Sequence, residues 1–258
     1  MKESLKYLLR SRSPKFVRDH YSPFAAGATA SYDWNGHRVW YRPGSSDTEL
    51  IYKILLRRGM KGEYAIEPGI RARLGEVRTV LDIGANIGVS ALYFAATFPH
   101  ARVYAFEPSP DNVPLLRRNT EALGRVQVVP VALGEQDGTL EFFASEAAAN
   151  FGGFSRFGAG SDTGRKTAVT VRHAGRQLSE LGLGSADVIK IDVEGSEWEI
   201  LNALGEEFLS RAKYISGELH GHRDFELLAL LDRHFQVAVR KRLHDRIFMF
   251  QAVNRNTS

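Results

Sequence analysis

The chain has 258 residues, 43% of them hydrophobic and 25% charged, which suits one large globular domain or a domain with an extension. Lys and Arg number 34 against 30 Asp and Glu, and a net charge of +4 does not by itself indicate nucleic-acid binding. Cysteine is absent, which excludes disulfides, thiolate–zinc sites and covalent catalysis by cysteine. No apolar run approaches the roughly 18 residues of a membrane span, and the N-terminus lacks a secretory signal pattern. We therefore expect a cytoplasmic protein without a transmembrane segment.

The first quarter of the chain differs in character from the rest. In chain order we predict a short basic helix at Ser4–Arg10, a strand at His37–Tyr41, a helix at Asp47–Arg58 and a helix at Glu63–Leu74 that is interrupted near Pro68 and Gly69. Residues 1–75 are accordingly predicted to form an N-terminal helical extension ahead of a larger domain at residues 76–258. The basic N-terminal segment, interleaved with leucines, allows peripheral contact with an anionic membrane, although a helical arm docked on the protein is favoured.

From residue 78 onward, apolar strand segments alternate with amphipathic helical segments. The predicted strands are TVLDIG, RVYAFEP, VQVVPVAL, GTLEFFAS, TAVTVRH, ADVIKIDVEG, KYISGELH, FQVAVRK and RIFMFQAV. The predicted helices are Ile87–Phe98, Ser109–Glu121, Gln177–Leu181, Ser196–Phe208 and Phe225–Arg233. This alternation predicts an α/β fold with a mostly parallel sheet covered by helices on both faces, and the last two strands form a hairpin.

The turn after the first of these strands reads DIGANIG, with Asp82, Gly84, Asn86 and Gly88. Ligands of open α/β sheets bind at the carboxyl ends of the strands, where this turn lies. The dinucleotide fingerprint requires glycine at its first, third and sixth positions, which here hold Gly84, Asn86 and Val89. The mismatch disfavours a nicotinamide or flavin dinucleotide and the oxidoreductase class.

Two acids at the same edge of the predicted sheet indicate a different class of ligand. Asp82 suits a cation such as an amino acid's ammonium group, and Glu107, at the end of the next strand, can accept hydrogen bonds from two ribose hydroxyls. S-adenosyl-L-methionine carries both groups and no phosphate, so we predict it as the cofactor. The alternative is a tight strand–helix turn in which Asp82 only caps the helix.

Four segments in matching order, VLDIGANIGVSALYFA, VYAFEPSPDNVPLLRRN, VVPVALGEQDG and VIKIDVEGSEWEIL, resemble the FkbM family of S-adenosylmethionine-dependent methyltransferases. The preceding segment SDTELIYKILLRRGMKGEY also resembles this family, so the resemblance extends over residues 39–253. It implies a Rossmann-like class I methyltransferase with a mostly parallel seven-stranded sheet, an antiparallel last strand and helices on both faces. It further implies O-methylation, usually of a small molecule or a sugar-containing product. We predict a small-molecule, sugar or glycolipid-precursor hydroxyl as the acceptor, and residues 1–75 as a cover for cofactor and acceptor.

The resemblance also assigns cofactor contacts to particular residues. The methionine part would lie against the first turn and the fourth strand, the ribose against Glu107 and Pro108, and the adenine against the third strand, while an acid–tyrosine pair closes over the cofactor. The full predicted set is Glu63, Tyr64, Asp82, Gly84, Ala85, Asn86, Gly88, Glu107, Pro108, Ala132, Leu133, Asp192 and Glu194. Asn119 matches a family asparagine, with a helix C-cap as the alternative.

The fourth strand ends in Lys190, Asp192 and Glu194, and we predict that Asp192 and Glu194 line the junction of cofactor and acceptor. A lysine within a strand buried on both faces is costly unless it is paired or opens on a cleft. Lys190 and Asp192 are therefore candidate catalytic residues, with a purely structural Lys–Asp pair as the alternative. Gly195 then allows the chain to turn, and Ser196 is predicted to cap the next helix.

The fifth strand ends in Glu218 and His220, which are two residues apart and so share a face. Histidine titrates near neutral pH and suits a general base for an acceptor hydroxyl, which adds Glu218 and His220 to the catalytic candidates. Asp192, Glu218 and His220 can also converge on a divalent cation, although a metal is not favoured. A structural pair is the third alternative.

The loop at residues 150–164 carries Phe151, Phe154, Arg156 and Phe157 among glycines, and we consider it a lid or acceptor wall, with a disordered surface loop as the alternative. The predicted partner is a small-molecule or carbohydrate-containing acceptor. A nucleic-acid methyltransferase is disfavoured, because the chain lacks an Asn-Pro-Pro-Tyr motif and any cysteine. A non-catalytic module that retains the cofactor pocket stays open as an alternative.

Overall fold

The secondary structure comes from a computed structural model that describes residues 2–57, 59–143, 166–242 and 247–257. The strands are β1 (Ala30–Trp34), β2 (His37–Tyr41), β3 (Thr79–Ile83), β4 (Arg102–Phe106), β5 (Val126–Val129), β6 (Ala132–Gly134), β7 (Gly138–Phe143), β8 (Lys166–His173), β9 (Val188–Ile191), β10 (Tyr214–Leu219), β11 (Phe235–Arg242) and β12 (Phe248–Asn254). The helices are α1 (Lys2–Ser11), α2 (Pro14–Tyr21), α3 (Asp47–Leu50), α4 (Pro68–Arg73), α5 (Val89–Thr97), α6 (Val113–Thr120), α7 (Ala174–Glu180), α8 (Glu197–Leu204), α9 (Glu206–Ser210) and α10 (Asp224–Asp232). None of the helices in these ranges is long and apolar enough to cross a bilayer.

The central sheet has seven strands in the order β11-β12-β10-β9-β3-β4-β5. Strand β3 runs parallel to β4 and β9, and β9 runs parallel to β10, whereas β12 is antiparallel to both β10 and β11. This confirms the predicted mostly parallel sheet with an antiparallel last strand. The chain continues from β3 to β4 on one side and reaches β9 on the other, so the order reverses at β3, where a ligand crevice is expected.

Each face of the sheet has its own apolar core, because successive side chains of a strand point to opposite faces. Val80 belongs to one cluster and Leu81 to the other. The first cluster contains residues of α5 and α6, and the second contains residues of α7, α8 and α10. Helices therefore cover both faces, as predicted.

The segment before residue 76 is built differently from the prediction. The helix predicted at Ser4–Arg10 is confirmed within α1, and the strand at His37–Tyr41 is confirmed as β2. The prediction missed α2 and β1, which pairs with β2 in a two-stranded sheet. Tyr7 and Phe16 lie in the same apolar cluster as Val80, so this segment shares a core with the sheet. The boundary between residues 75 and 76 stays a prediction.

Two predicted helices of this segment were wrong in extent. The helix predicted at Asp47–Arg58 is α-helical only to Leu50 and continues as a π-helical turn at Ile51–Leu56. The helix predicted at Glu63–Leu74 begins only at Pro68, because Glu67, just before the proline, is extended at φ −57° and ψ 136°.

Two further predicted segments each split in two. The predicted third strand VQVVPVAL ends at Val129, because Pro130 has no N–H to continue the ladder. Its second half is β6, which joins a separate three-stranded sheet in the order β6-β8-β7. The predicted helix Ser196–Phe208 divides into α8 and α9 at Gly205, whose φ of 84° is outside the helical range.

Candidate active site

A cavity of about 320 Å³ opens at the carboxyl ends of β3, β4, β9 and β10. Of the predicted cofactor residues, those that line it are Glu63, Tyr64, Gly84, Ala85, Asn86, Glu107, Pro108, Ala132, Leu133, Asp192 and Glu194. Of the predicted catalytic residues, Lys190 and Glu218 also line it. Asp82 and Gly88 are not among the lining residues. The topology thus brings together side chains more than a hundred positions apart in the chain.

Glu107 follows β4 and is held in a fixed orientation at the cavity wall. Its Oε2 accepts a hydrogen bond from Asn86 N at 2.8 Å, and its Oε1 accepts bonds from Ser109 N at 2.9 Å and Asn112 Nδ2 at 3.3 Å. Burial raises the pKa of Glu107 although these hydrogen bonds act to lower it. The carboxylate joins the β3 and β4 turns and presents its remaining acceptor capacity to the cavity.

The glycines of the first turn serve the packing of the chain itself. Gly84 has φ 81°, and a Cβ on it would overlap the carbonyl oxygen of Asp192. Gly88 has φ 87°, and a Cβ there would lie 2.7 Å from Leu116 Cδ1. Asn86 also has a positive φ of 49°, which asparagine tolerates better than most residues. Glycine is therefore required for close contact with β9 and α6, and not for the approach of a phosphate.

Asp82 lies beneath the cavity floor and is not exposed at all. Its Oδ2 accepts a hydrogen bond from Ser90 Oγ at 2.7 Å, and its Oδ1 lies 3.3 Å from Lys190 Nζ. Asp82 thus pairs with the protein's own cation, and its predicted contact with an ammonium group stays a prediction.

Lys190 is 1% exposed and lies between the strand ends. Its Nζ donates to Gly84 O at 2.5 Å and Ile83 O at 3.3 Å, and it lies 4.0 Å from Asp192 Oδ2. Burial acts to lower the pKa of Lys190, but the charges of Asp82 and Asp192 outweigh it and raise the pKa. Lys190 is thus a charged tether between β3 and β9, and its principal partner is Asp82 rather than Asp192.

Acidic side chains from three elements surround His220 just after β10. His220 Nε2 lies 3.4 Å from Glu218 Oε2, 3.6 Å from Glu194 Oε2 and 3.8 Å from Asp192 Oδ1. Tyr64 donates from its hydroxyl to Asp192 Oδ2 at 3.0 Å, which links the cluster to the N-terminal segment. Asp192, Glu218 and His220, which were predicted to be able to converge, therefore lie together, and Glu194 joins them.

The acidic neighbours of His220 favour its charged form. Burial acts to lower its pKa, but hydrogen bonds to Glu197 and Glu218 and the charges of Glu197 and Asp192 raise the pKa to about 11. These contacts favour a positive charge on the imidazole, and the predicted general-base role of His220 stays a prediction.

The pKa values of two carboxylates beside His220, those of Glu218 and Glu194, are also raised. Burial, followed by the negative charge of Asp192, raises the pKa of Glu218 to about 8 and that of Glu194 to about 7. A carboxylate that titrates near neutral pH can accept a proton more effectively than an ordinary glutamate. These two carboxylates therefore titrate closer to neutral pH than ordinary glutamates.

Glu197 is the site residue that sequence reasoning missed. It is 1% exposed, and its Oε1 accepts bonds from His220 Nδ1 at 2.9 Å, Val193 N at 3.0 Å and Gly195 N at 3.3 Å. Ser196, predicted as the helix cap, makes no side-chain capping bond. The sequence signal that could have identified Glu197 is an acid in the first turn of the helix that follows DVEGS.

Asp192, Glu218 and His220 each offer a ligand atom, and these atoms lie within 4.8 Å of one another. The donor set of two carboxylates and one imidazole suits a divalent cation. The prediction of a possible metal at these residues stays a prediction.

Other predicted positions have a structural use or lie outside the described residues. Asn119 Oδ1 accepts from Trp40 N at 2.6 Å, and its Nδ2 donates to Trp40 O at 3.0 Å and Ile87 O at 2.7 Å. It thus connects β2 to the first turn. The predicted lid at residues 150–164, with Phe151, Phe154, Arg156 and Phe157, lies outside the described residues.

This combination of a seven-stranded sheet with a reversed last strand and a cavity at β3 and β4 defines a Rossmann-like methyltransferase. The model of the "Methyltransferase FkbM domain" family matches residues 82–253, which is more than half of the chain. The chain therefore belongs to the FkbM methyltransferase family.

Several curated proteins are similar to the chain. "2-O-methyltransferase NoeI" of Sinorhizobium fredii is 28% identical over 59% of this chain and 69% of that protein. "Hexuronic acid methyltransferase AglP" of Haloferax volcanii is 31% identical over 68% of this chain and 69% of that protein. "AMB antimetabolite synthetase AmbE" of Pseudomonas aeruginosa is 28% identical over 84% of this chain, which spans only 12% of that protein.

Among solved structures, "Methyltransferase FkbM from Methylobacillus flagellatus KT" aligns with 69% of this chain and 44% of its own. The sequence identity is 19% and the TM-score is 0.49.

Proposed function

We propose that the protein uses S-adenosylmethionine to methylate a hydroxyl oxygen of a small molecule, a sugar or a glycolipid precursor. The observation that carries the proposal is Glu107, a buried carboxylate fixed at the cavity wall by Asn86 N and Ser109 N. A carboxylate at the end of the second parallel strand of such a sheet can accept both ribose hydroxyls of an adenosyl group.

The remaining cavity residues fit the same cofactor. Ala132, Leu133 and Leu140 provide an apolar wall for an adenine ring, next to Glu107 and Pro108. The N–H groups of Gly84 and Ala85 donate to Phe106 O and that of Asn86 donates to Glu107, so they are already used within the chain rather than offered to a pyrophosphate. This chemistry supports an adenosyl sulfonium over a dinucleotide.

S-adenosylmethionine supplies, when bound, a methyl group already activated by its positive sulfur. The protein then has to hold an acceptor oxygen in line, and such alignment contributes up to about 7–11 kcal/mol to lowering a barrier. Asp192 is oriented for this by Tyr64, whose hydroxyl donates to it at 3.0 Å. The carboxylates at the ends of β9 and β10 are the groups available to contact an acceptor hydroxyl.

We assign the proton-accepting role to Glu218. Its side chain lines the cavity and lies 3.4 Å from His220, which is protonated and can stabilise the charge of neighbouring carboxylates. A positioned base of this kind contributes about 10²- to 10⁴-fold in rate. His220 therefore acts on the reaction through Glu218 and not as the base.

The cavity wall and the relatives support the proposed acceptor class. Glu49, Glu63, Glu194 and Glu218 line the cavity, and carboxylates accept hydrogen bonds from hydroxyl groups. NoeI is named for 2-O-methylation and AglP for a hexuronic acid, which supports oxygen methylation of a carbohydrate-containing acceptor. The fit is to a polyhydroxylated molecule rather than to a nucleic acid.

Binding of radiolabelled S-adenosylmethionine to the purified protein tests the cofactor. The wild type should bind it, Glu107→Gln should weaken binding by about 10- to 100-fold through lost ribose hydrogen bonds, and the exposed Glu121→Gln should behave as wild type. Absence of binding by the wild type would overturn the proposal.

A methyl-transfer assay against metabolite extracts, with the labelled product identified by mass spectrometry, tests the reaction. Label is expected on an oxygen of a hydroxylated metabolite. Cofactor binding without transfer to any extract would favour a non-catalytic binding module instead.

A further inference from the structure

Most of the exposed large apolar side chains among the described residues lie near the N-terminus. Leu5 is 55% exposed, Leu9 is 65% exposed and Leu8 is 38% exposed, all on α1, and Met60 nearby is 39% exposed. A contiguous apolar group of this kind, surrounded by polar residues, is typical of an interaction surface.

The opposite side of α1 is firmly attached to the protein. Tyr7 is buried and its ring stacks on Tyr52 at a centroid distance of 4.0 Å and on His20 at 4.2 Å. Ser11, one turn further on, is also buried. The exposed leucines are therefore not a frayed terminus but the outer face of a docked helix.

Basic residues lie beside these leucines on the same outer side. Leu5 and Leu9 form one row at a spacing of four residues, and Lys6 and Arg10 form the adjacent row. We call these four residues with Leu8 the amphipathic face of α1. Residues 2–18 contain six basic side chains and the single acid Glu3.

A second basic group adjoins this face. Lys6, Leu9, Arg10, Arg57, Met60 and Lys61 line one groove between α1 and the helical turn Gly59–Lys61, together with the acids Glu3 and Glu49. The groove thus combines apolar side chains with an excess of positive charge. Apolar and basic side chains side by side match the interior and the headgroups of an anionic lipid layer.

We propose that the amphipathic face of α1 docks the protein onto anionic lipid bilayers. Leu5, Leu8 and Leu9 insert at the boundary between headgroups and acyl chains, while Lys6 and Arg10 contact lipid phosphates. The proposed binding of lipid by this face does not require the methyl-transfer activity. Glu49 lines both this groove and the active-site cavity, so docking brings the cavity close to the bilayer.

Co-sedimentation with vesicles tests the proposal, using phosphatidylcholine alone and phosphatidylcholine mixed with phosphatidylglycerol. The full chain should bind the mixed vesicles, should bind neutral vesicles far less, and should lose affinity as salt is raised. Leu5→Gln combined with Leu9→Gln should weaken binding at least about 10-fold. Lys6→Gln combined with Arg10→Gln should weaken it by about 5-fold per charge removed.

Matched controls change exposed residues elsewhere in the fold. Phe225→Gln, at a side chain 87% exposed on α10, and Arg117→Gln on the surface of α6 should bind as wild type. Circular dichroism and thermal unfolding should be unchanged in all variants, since the altered side chains are exposed or, at Arg10, partly exposed.

Three outcomes would overturn the proposal. The first is the absence of binding to anionic vesicles, and the second is wild-type binding by the Leu5, Leu9 double variant. The third is a dimer in sedimentation equilibrium that this variant converts to a monomer, which would identify a second copy of the chain as the occupant of the surface.

Discussion

Lys190 Nζ lies 3.3 Å from Asp82 Oδ1 at the centre of the sheet, with both side chains almost completely buried. The two residues come from neighbouring parallel strands, β9 and β3, at register positions that face each other. Lys190 neutralises the charge of Asp82 within the protein, whereas the side chains of Glu107 and Glu218 line the active-site cavity.

Replacement of Asp82 is expected to act on stability before it acts on binding. Asp82→Asn leaves Lys190 charged and buried without its principal partner, which typically costs about 3–5 kcal/mol. Urea unfolding followed by circular dichroism measures this loss. The double variant Asp82→Asn with Lys190→Met should recover most of it, because the buried charge is removed as well. Unchanged unfolding together with lost cofactor binding would instead show that Asp82 contacts the ligand.

Glu197 is expected to control the protonation of His220. In Glu197→Gln the hydrogen bond at 2.9 Å remains possible, but the negative charge is lost, so the pKa of His220 should fall toward its ordinary value of about 6.5. An NMR titration of the imidazole protons measures the change. The control Glu199→Gln, whose carboxylate contacts His222 at 3.2 Å, should leave the pKa of His220 unaltered. An unshifted His220 signal in Glu197→Gln would contradict the assigned contact.

The pH dependence of catalysis should report Glu218. Because its pKa is raised to about 8, the carboxylate is protonated below that pH and becomes a competent base as the pH rises. In the metal-free enzyme kcat/KM should therefore increase up to about pH 8 and then level off. Glu218→Gln should lower kcat by about 10²- to 10⁴-fold and remove this dependence. A wild-type kcat/KM that does not increase as the pH rises to about 8 would exclude Glu218 as the base.

The free energy of unfolding should depend on pH in the direction opposite to kcat/KM, because it should decrease as the pH rises. The pKa of His220 is raised from 6.5 to about 11, so the folded state binds the proton more tightly than the unfolded chain. The resulting stabilisation is complete below about pH 6.5 and is lost as the pH rises through about 11. Urea unfolding of wild type and His220→Gln across this range measures it. The wild-type free energy of unfolding should fall more steeply with pH than that of the variant.

Removal of divalent cations provides a separate test of the acidic cluster. A cation at Asp192, Glu218 and His220 would have to displace the proton on His220 Nε2, the nitrogen that faces Glu218 and Asp192, while Nδ1 keeps its bond to Glu197. We therefore expect methyl transfer to be unaffected by a chelator. Loss of activity on chelation, with recovery on adding Mg²⁺ or Mn²⁺, would establish these residues as metal ligands.

Much of the architecture was predictable because it depends on local patterns. Apolar runs such as that around Val80 and turns such as DIGANIG specify buried strands and strand–helix junctions over a few residues. Their alternation then predicts the parallel sheet, and Glu107 could be assigned to the cavity from its place at a strand end. The proline at position 130 also indicated that the strand divides there, but the prediction gave more weight to the apolar strand pattern around it.

The sequence by itself thus determined the parallel sheet, its reversed last strand and the edge at which the polar side chains gather, because these follow from periodicity and turn chemistry. Only the tertiary structure decided how the charged groups pair there. Asp82 with Lys190 and Glu197 with His220 are contacts between residues distant in the chain. Such contacts set burial and local charge, and these two quantities decide which group is a structural ion and which can exchange a proton.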